Sequence, residues 1–454
     1  MACAGRGAAL PGRRVVRAAA TLLFAIVPMV VLKVLLPLQL ISMLASGDDD
    51  AEATRFIARL QISSNLAAAA TTCAVCELSD RVGRRPMLVT ITAFSFLDGL
   101  VCALAPSPRW LLIGHTFASS IASPWALLAV TFGGVADIVE AAQTPDRVAV
   151  EFSFVEGAVF AAGIFAPASF TAIAQRWGFP AAYLCAAALS LVAFLAAVTA
   201  PETLQRAKTA PADDAVYSPL AGDAPADAEG APLAKRRPAA WVAFTPLAAL
   251  FYFGQSRRQV LVGAACFLHW VGLRGLEFLW PLLGHQLFHW RPAFQGLIYS
   301  GQGVVATFAM TIGARQVAIL LRHDEYKMCL LFLALAVCGA SLCGAAGHNE
   351  GAFIAGMFVL ELEMPANAAL RAMVVGSRGA HGRAAALGAA ALLETAAELS
   401  AYSMMAKVLS VPALHSSAAC FVAAASFAAA AVPVLLALPT DAGKRDALVS
   451  ADAS

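Results

Sequence analysis

The side chains of this chain that could do chemistry are the few charged ones embedded in long apolar runs. Lys33 stands shortly before Pro37, Asp98 and His115 lie in two successive runs, and Arg274 and Glu277 sit three apart. Further on come Glu361 and Glu363, followed by Pro365, and then Glu394 and Glu398, four apart. A charge at a bilayer centre costs at least about 2.5–3.5 kcal/mol, so such groups face a cavity or one another. Spacings of three and four share one face of a helix. Arg274 and Glu277 can therefore pair, either as a self-neutralising structural link or as part of a site. Glu394 and Glu398 can share a site, where two close carboxyls in a low-dielectric cavity do not both ionise readily. That is the chemistry of taking up and releasing a proton. Glu361 and Glu363, two apart, point in different directions, so at most one of them faces a cavity head-on. Lys33 can neutralise a carboxylate or bind an anion. His115 can relay a proton or sit as a hydrogen-bonded buried histidine.

The elements that position these groups must be membrane helices. The chain has 454 residues, 60% apolar and 13% charged, against about a quarter charged in soluble domains. At about 20 apolar residues per crossing there is room for about twelve. Charge and proline bound them near 15–44, 54–78, 86–105, 109–137, 147–174 and 179–199, then near 257–283, 293–321, 327–347, 351–375, 383–409 and 414–438. The result is an all-α, multi-pass integral membrane protein with six crossings in residues 1–200 and six in 257–454. Between them, 201–256 is rich in Pro, Ala, Asp and Gly, as a flexible linker is. The end of that interval, Trp241 to Phe253, is apolar but short of spanning length and suits an interfacial helix.

Basic residues test this topology independently. Arg6, Arg13, Arg14, Arg17, Arg81, Arg84, Arg85, Arg147, Lys235, Arg236, Arg237, Arg257, Arg258, Arg315, Arg322, Lys327, Arg378, Arg383, Lys444 and Arg445 all fall on one side. The other side holds few, such as Arg109, Arg176 and Arg291, and carries the acidic run Asp48–Asp50. The positive-inside rule then puts both termini in the cytoplasm. The Arg- and Ala-rich opening also permits an organelle transit peptide, and the sequence does not name the membrane.

Within this frame, Ser79-Asp80-Arg81-Val82-Gly83-Arg84-Arg85-Pro86, between crossings two and three, resembles the signature loop of the major facilitator superfamily. Ala136-Asp137 with Arg147 is similar to that family's loop between helices four and five, and Gly163 to Pro167 to its helix-five motif. Pro201-Glu202-Thr203 closes helix six in the manner of sugar porters and tetracycline-resistance-type carriers. The tetracycline-resistance-like, drug:proton-antiporter branch is the nearest resemblance and the proton-coupled folate carriers the second. Ala166, Ser169 and Phe170 depart from the helix-five pattern, and the second-half copy of the signature loop near Gly313 to Lys327 is degraded.

The resemblance implies two six-helix bundles moving a small organic solute by alternating access, with the solute site between them. It also implies that Asp80 meets the N-terminal end of helix eleven, near Arg383, when the cytoplasmic side is closed. A carboxylate there gains about 0.3–1 kcal/mol from the helix dipole. Read alone, Arg81, Arg84 and Arg85 are equally topology anchors. Proton coupling through Glu394, Glu398 and Glu361, with Lys33 and Arg274 as charge partners, is expected; a uniporter and a non-transporting sensor or scaffold are the alternatives. Trp270, Phe278, Trp280 and Phe288 either shape an apolar pocket or face lipid. The Cys73-x-x-Cys76 spacing reads as small hydrophobes in a helix. No nucleotide loop, metal-ligand cluster or nucleophile constellation is evident, so no enzyme, cofactor, metal or nucleic-acid partner is expected. The expected partners are the solute, protons and the bilayer, with the chain a monomer.

Overall fold

A computed structural model describes residues 12–44, 50–142, 147–203, 248–290, 292–376, 383–410 and 416–438. In the first half, α1 is Arg13–Leu44, α2 Asp50–Val82, α3 Arg84–Leu104, α4 Pro108–Ile121, α5 Pro124–Ala141, α6 Val148–Trp177 and α7 Phe179–Thr199. In the second, the short α8 is Ala248–Phe253, followed by α9 Arg257–Phe288, α10 Pro292–Phe308, α11 Ala314–Leu320 and α12 Glu325–Ala345. The series ends with α13 Glu350–Glu361, α14 Pro365–Val375, α15 Arg383–Ser410 and α16 Ser416–Leu436. Among the described residues, eleven spans are long and apolar enough to cross a membrane. The twelfth expected crossing, α2, has 33 residues, but its Ser, Thr, Gln and charged residues keep its hydropathy below the rest. At 1.5 Å per residue it is about 50 Å long, and it packs within the bundle against α4 and α15.

Three expected single helices are broken, each for a local reason. The fourth crossing splits into α4 and α5 at Ala122–Ser123, where Pro124 starts the new helix and Ser123 Oγ accepts from Ala126 N at 3.2 Å. The tenth splits into α13 and α14, because Pro365 lacks the N–H that would continue α13. Its turn closes instead through i→i−3 bonds, Glu363 N to Leu360 O at 2.9 Å and Ala366 N to Glu363 O at 2.7 Å. The eighth contains a π-helical turn, Ala309–Gly313, between α10 and α11. Of the expected linker and interfacial helix, 204–247 lie outside the described residues, and α8 is what remains.

Within the first half α3 packs on α7, α1 on α6 and α2 on α4; within the second, α16 packs on α9 and α12, and α12 on α13. Small residues set these distances, as they must where lipid supplies no hydrophobic drive between helices. A Cβ on Gly339 of α12 would lie 2.6 Å from Leu360 N of α13. The halves meet along α2–α15, α5–α15, α6–α10 and α6–α14. Gly388 lets α15 reach α2, since a Cβ there would lie 2.8 Å from Cys76 Sγ.

Candidate functional site

At one end of the molecule the signature loop is folded into a charged knot. Gly83 has φ +130°, a conformation only glycine holds easily, and a Cβ there would lie 2.5 Å from Glu202 Oε2. That closeness is used: Glu202 accepts from the backbone N–H of Arg84 at 2.9 Å and of Arg85 at 3.1 Å, at the start of α3. Asp80 accepts from Ala385 N at 2.8 Å and Ala384 N at 3.3 Å, the N-terminal amides of α15. It also binds the Arg84 guanidinium. Arg84 is fully buried, and its Nε donates to Asp137 Oδ2 at 3.0 Å. From the other half, Arg383 reaches Asp137 Oδ1 at 3.0 Å and Glu140 Oε2 at 2.7 Å. Gly133 of α5 makes the room, since a Cβ there would lie 3.2 Å from Arg84 Cζ. Arg81 instead pairs with Glu77 at 2.8 Å, and Arg147 with Glu151 at 2.9 Å. Of the helix-five residues, Gly163 has open space around it and Pro167 lies inside α6; the close approaches of α6 to the second half are made by Gly157 and, from α10, Gly303.

The second assembly is deeper and spans the halves. Arg371 of α14 is 4% exposed. Its Nη1 donates to Glu156 Oε1 of α6 at 2.9 Å, and its Nη2 to both oxygens of Glu394 of α15 at 3.1 and 3.2 Å. Asn367, one turn before Arg371, donates to Glu156 as well. Among the described residues, Glu156 Oε2 and Asn367 Oδ1 have no hydrogen-bond partner. Aromatic faces close around the cations. Arg371 lies 5.2 Å from the Phe132 ring centre and 5.8 Å from Trp270, and Arg274 lies 4.5 Å from Trp270 and 5.4 Å from Trp125. Trp125 and Trp270 meet edge to face at 5.5 Å, one ring from each half.

The sequence-derived candidates distribute around this core. Arg274 pairs with Glu277. Glu361 accepts from Gln302 Nε2 at 2.9 Å, while Glu363 faces His269 at 3.8 Å. Glu363 and His269 are both 0% exposed. Glu394 is bound by Arg371, and Glu398 is half-buried one turn further on. Lys33 lies on α1, but its side chain is outside the described residues, as is that of Phe278. Trp270 and Trp280 are buried rather than lipid-facing. Asp98 and His115 form a separate pair, Oδ1 to Nδ1 at 2.8 Å, with Cys102 Sγ 3.8 Å from the same oxygen. Their three donor atoms lie within 4.8 Å of one another and could hold a metal ion, a grouping sequence spacing did not expose.

Sequence reasoning missed Glu156, Asn367, Arg371, His269 and Trp125. The available signal was a cation inside a crossing, four residues from an amide: Asn367 and Arg371 share one face of the tenth helix.

This fold defines the chain's class. The Major Facilitator Superfamily profile matches residues 15–402, and the chain belongs to that superfamily. No curated protein matches the sequence. Among solved structures, it is similar to the human organic anion transporter MFSD10 (TM-score 0.72, 19% identity, covering 93% of this chain and 99% of that one). It is also similar to the proton:xylose symporter XylE (0.69, 13%, 93% and 94%) and the E. coli fucose:proton symporter FucP (0.67, 11%, 93% and 98%).

Proposed function

We propose that this protein moves a small organic solute across the membrane by alternating access, coupled to protons, with both termini cytoplasmic. The observation that carries this reading is Arg371, buried between Glu156 of the first half and Glu394 of the second. With both carboxylates ionised the triad carries one excess negative charge (one cation, two anions). A single proton removes the excess, and an unbalanced charge in so dry a place is costly. Protonation of Glu394 weakens its hold on the Arg371 fork, which is then available to a carboxylate-bearing solute in bidentate geometry. The likeness to an organic anion transporter supports that solute class. In this reading Glu361, Glu398 and the Arg274–Glu277 pair are the further coupling groups of the second half, and Lys33 is a charge partner from the first.

The signature-loop knot is read as the cytoplasmic gate, here closed. Asp80, Asp137, Glu140, Arg84 and Arg383 link the halves in this state and part in the other, which makes the contact a two-state latch. Of the branches, the Gly163–Pro167 stretch favours the drug:proton antiporters. Residues 1–200 and 257–454 form the two moving bodies, and 201–256 the linker. The test is a solute screen in proteoliposomes with and without a pH gradient, followed by Glu394→Gln. Coupling predicts that this variant exchanges solute but no longer concentrates it; undiminished accumulation removes Glu394 from the role.

A further inference from the structure

The end of the first half that carries the signature loop also holds a cavity of about 270 Å³, away from Arg371 and built wholly from residues of α1, α3, α5 and the stretch after α7. That size is just below the ~300–1,000 Å³ of ordinary small-molecule pockets. Its floor is apolar, formed by residues such as Leu22 and Leu127, and its rim carries Arg13, Arg14, Arg17 and Arg85. Arg84 also reaches the cavity, but its charge is taken up by Asp80 and Asp137.

Two of the four rim arginines are docked on uncharged oxygens. Arg17 Nη2 donates to Thr199 O at 2.8 Å and Thr199 Oγ1 at 3.0 Å, and Arg85 donates to Val198 O. Both are thus docked on the last turn of α7, whose end carbonyls lack helical partners and bear only partial charge. Against these four guanidiniums stands the Glu202 carboxylate, which accepts from the backbone N–H groups of Arg84, Arg85 and Thr203. Arg13 and Arg14 are exposed, and neither has a hydrogen bond or ion pair among the described residues.

A cationic rim over an apolar floor, at the membrane edge of a helix bundle, suits a ligand with an anionic head and a hydrocarbon body. A free anion would leave the floor without a partner, and an uncharged lipid would leave the rim without one. We infer that this cavity binds an anionic phospholipid of the surrounding leaflet, its phosphate on the Arg13, Arg14, Arg17 and Arg85 guanidiniums and the start of an acyl chain on the Leu22–Leu127 floor. Arginine forks match phosphate geometry, and basic pockets between membrane helices bind anionic headgroups in this manner.

The test is native mass spectrometry of the purified full chain in detergent, titrated with phosphatidylglycerol or phosphatidylcholine of the same acyl chains. Phosphatidylglycerol should bind preferentially, by tenfold or more on the scale of ~1 kcal/mol for each nearby arginine. Arg13→Gln/Arg14→Gln should weaken phosphatidylglycerol by roughly thirtyfold on the same scale and leave phosphatidylcholine unchanged. Arg257→Gln, which removes an exposed basic residue at the start of α9, should change neither. Equal binding of the two lipids, or an undiminished preference in the double variant, overturns the proposal. An equal loss in Arg257→Gln overturns it in favour of diffuse charge attraction. Displacement of phosphatidylglycerol by millimolar inorganic phosphate overturns it in favour of a free-anion site.

Discussion

At the residue scale, Arg371 is the cation that joins Glu156 of the first half to Glu394 of the second. Removing one partner from a buried ionic cluster leaves the others uncompensated, at a cost of about 3–5 kcal/mol. Arg371→Gln should therefore lower the thermal midpoint of the detergent-solubilised protein and abolish solute accumulation. A variant of wild-type stability and activity would show that the triad is neither structural nor functional. Gly83→Ala is a sharper steric test. Its Cβ would enter a positive-φ position 2.5 Å from Glu202 Oε2, and backbone strain of this kind costs about 1–3 kcal/mol. The thermal midpoint should fall; an unchanged midpoint would mean that the loop relaxes without loss.

At the element scale, α2, α5 and α15 meet at the signature-loop end, and on the proposed mechanism this contact is the gate. Asp80→Asn removes the charge that holds both Arg84 and the α15 amides, so the closed state should lose population. Cys76 reports it, being buried against Gly388 of α15. In a variant keeping only that cysteine, Asp80→Asn should speed alkylation by a membrane-permeant maleimide, and equal rates would count against a latch. Helix α12 offers an independent check on capping. Asp324 accepts from Tyr326 N and Lys327 N, both at 3.1 Å, and pairs with Lys327 Nζ at 3.0 Å. Partial burial works against its charge, but the hydrogen bonds from Lys327 and Tyr326 outweigh it and hold the carboxyl below its ordinary range. A depressed folded-state value means stability that is present above the unfolded pKa, near 3.9, and lost as pH falls through the folded one. Asp324→Ala should cost about 1 kcal/mol at neutral pH, a difference that narrows in acid; a constant difference would argue against the ionised cap.

These elements also mark how far the sequence could be read. Helix number and order were legible because apolar runs of spanning length are bounded by charge and proline. The breaks at Ser123-Pro124 and Met364-Pro365 were written in residues that start helices, yet hydropathy averages over them. The central site was half legible: Glu394, Glu361 and Arg274 stand out as charges in apolar runs. Glu156 and Arg371 are also charges in such runs, but the neighbours that make them a pair come from helices more than 200 residues apart. No local pattern carries that pairing, and the aromatic box of Trp125 and Trp270 is hidden for the same reason.

At the scale of the whole molecule, two buried ionic networks among the described residues, with the Arg315–Glu151 pair at 3.7 Å besides, tie the halves together at different places. The Asp80–Asp137–Arg84–Arg383 knot holds one end, and Glu156–Arg371–Glu394 holds the interior. On the proposed mechanism each would be paired in one state and parted in the other as one half rocks against its neighbour. The most direct test of this account is solute accumulation in proteoliposomes, measured with an imposed pH gradient and again after an ionophore has collapsed it. The account predicts concentrative transport that disappears with the gradient and is absent in Glu394→Gln; accumulation at an unchanged rate without the gradient would contradict it.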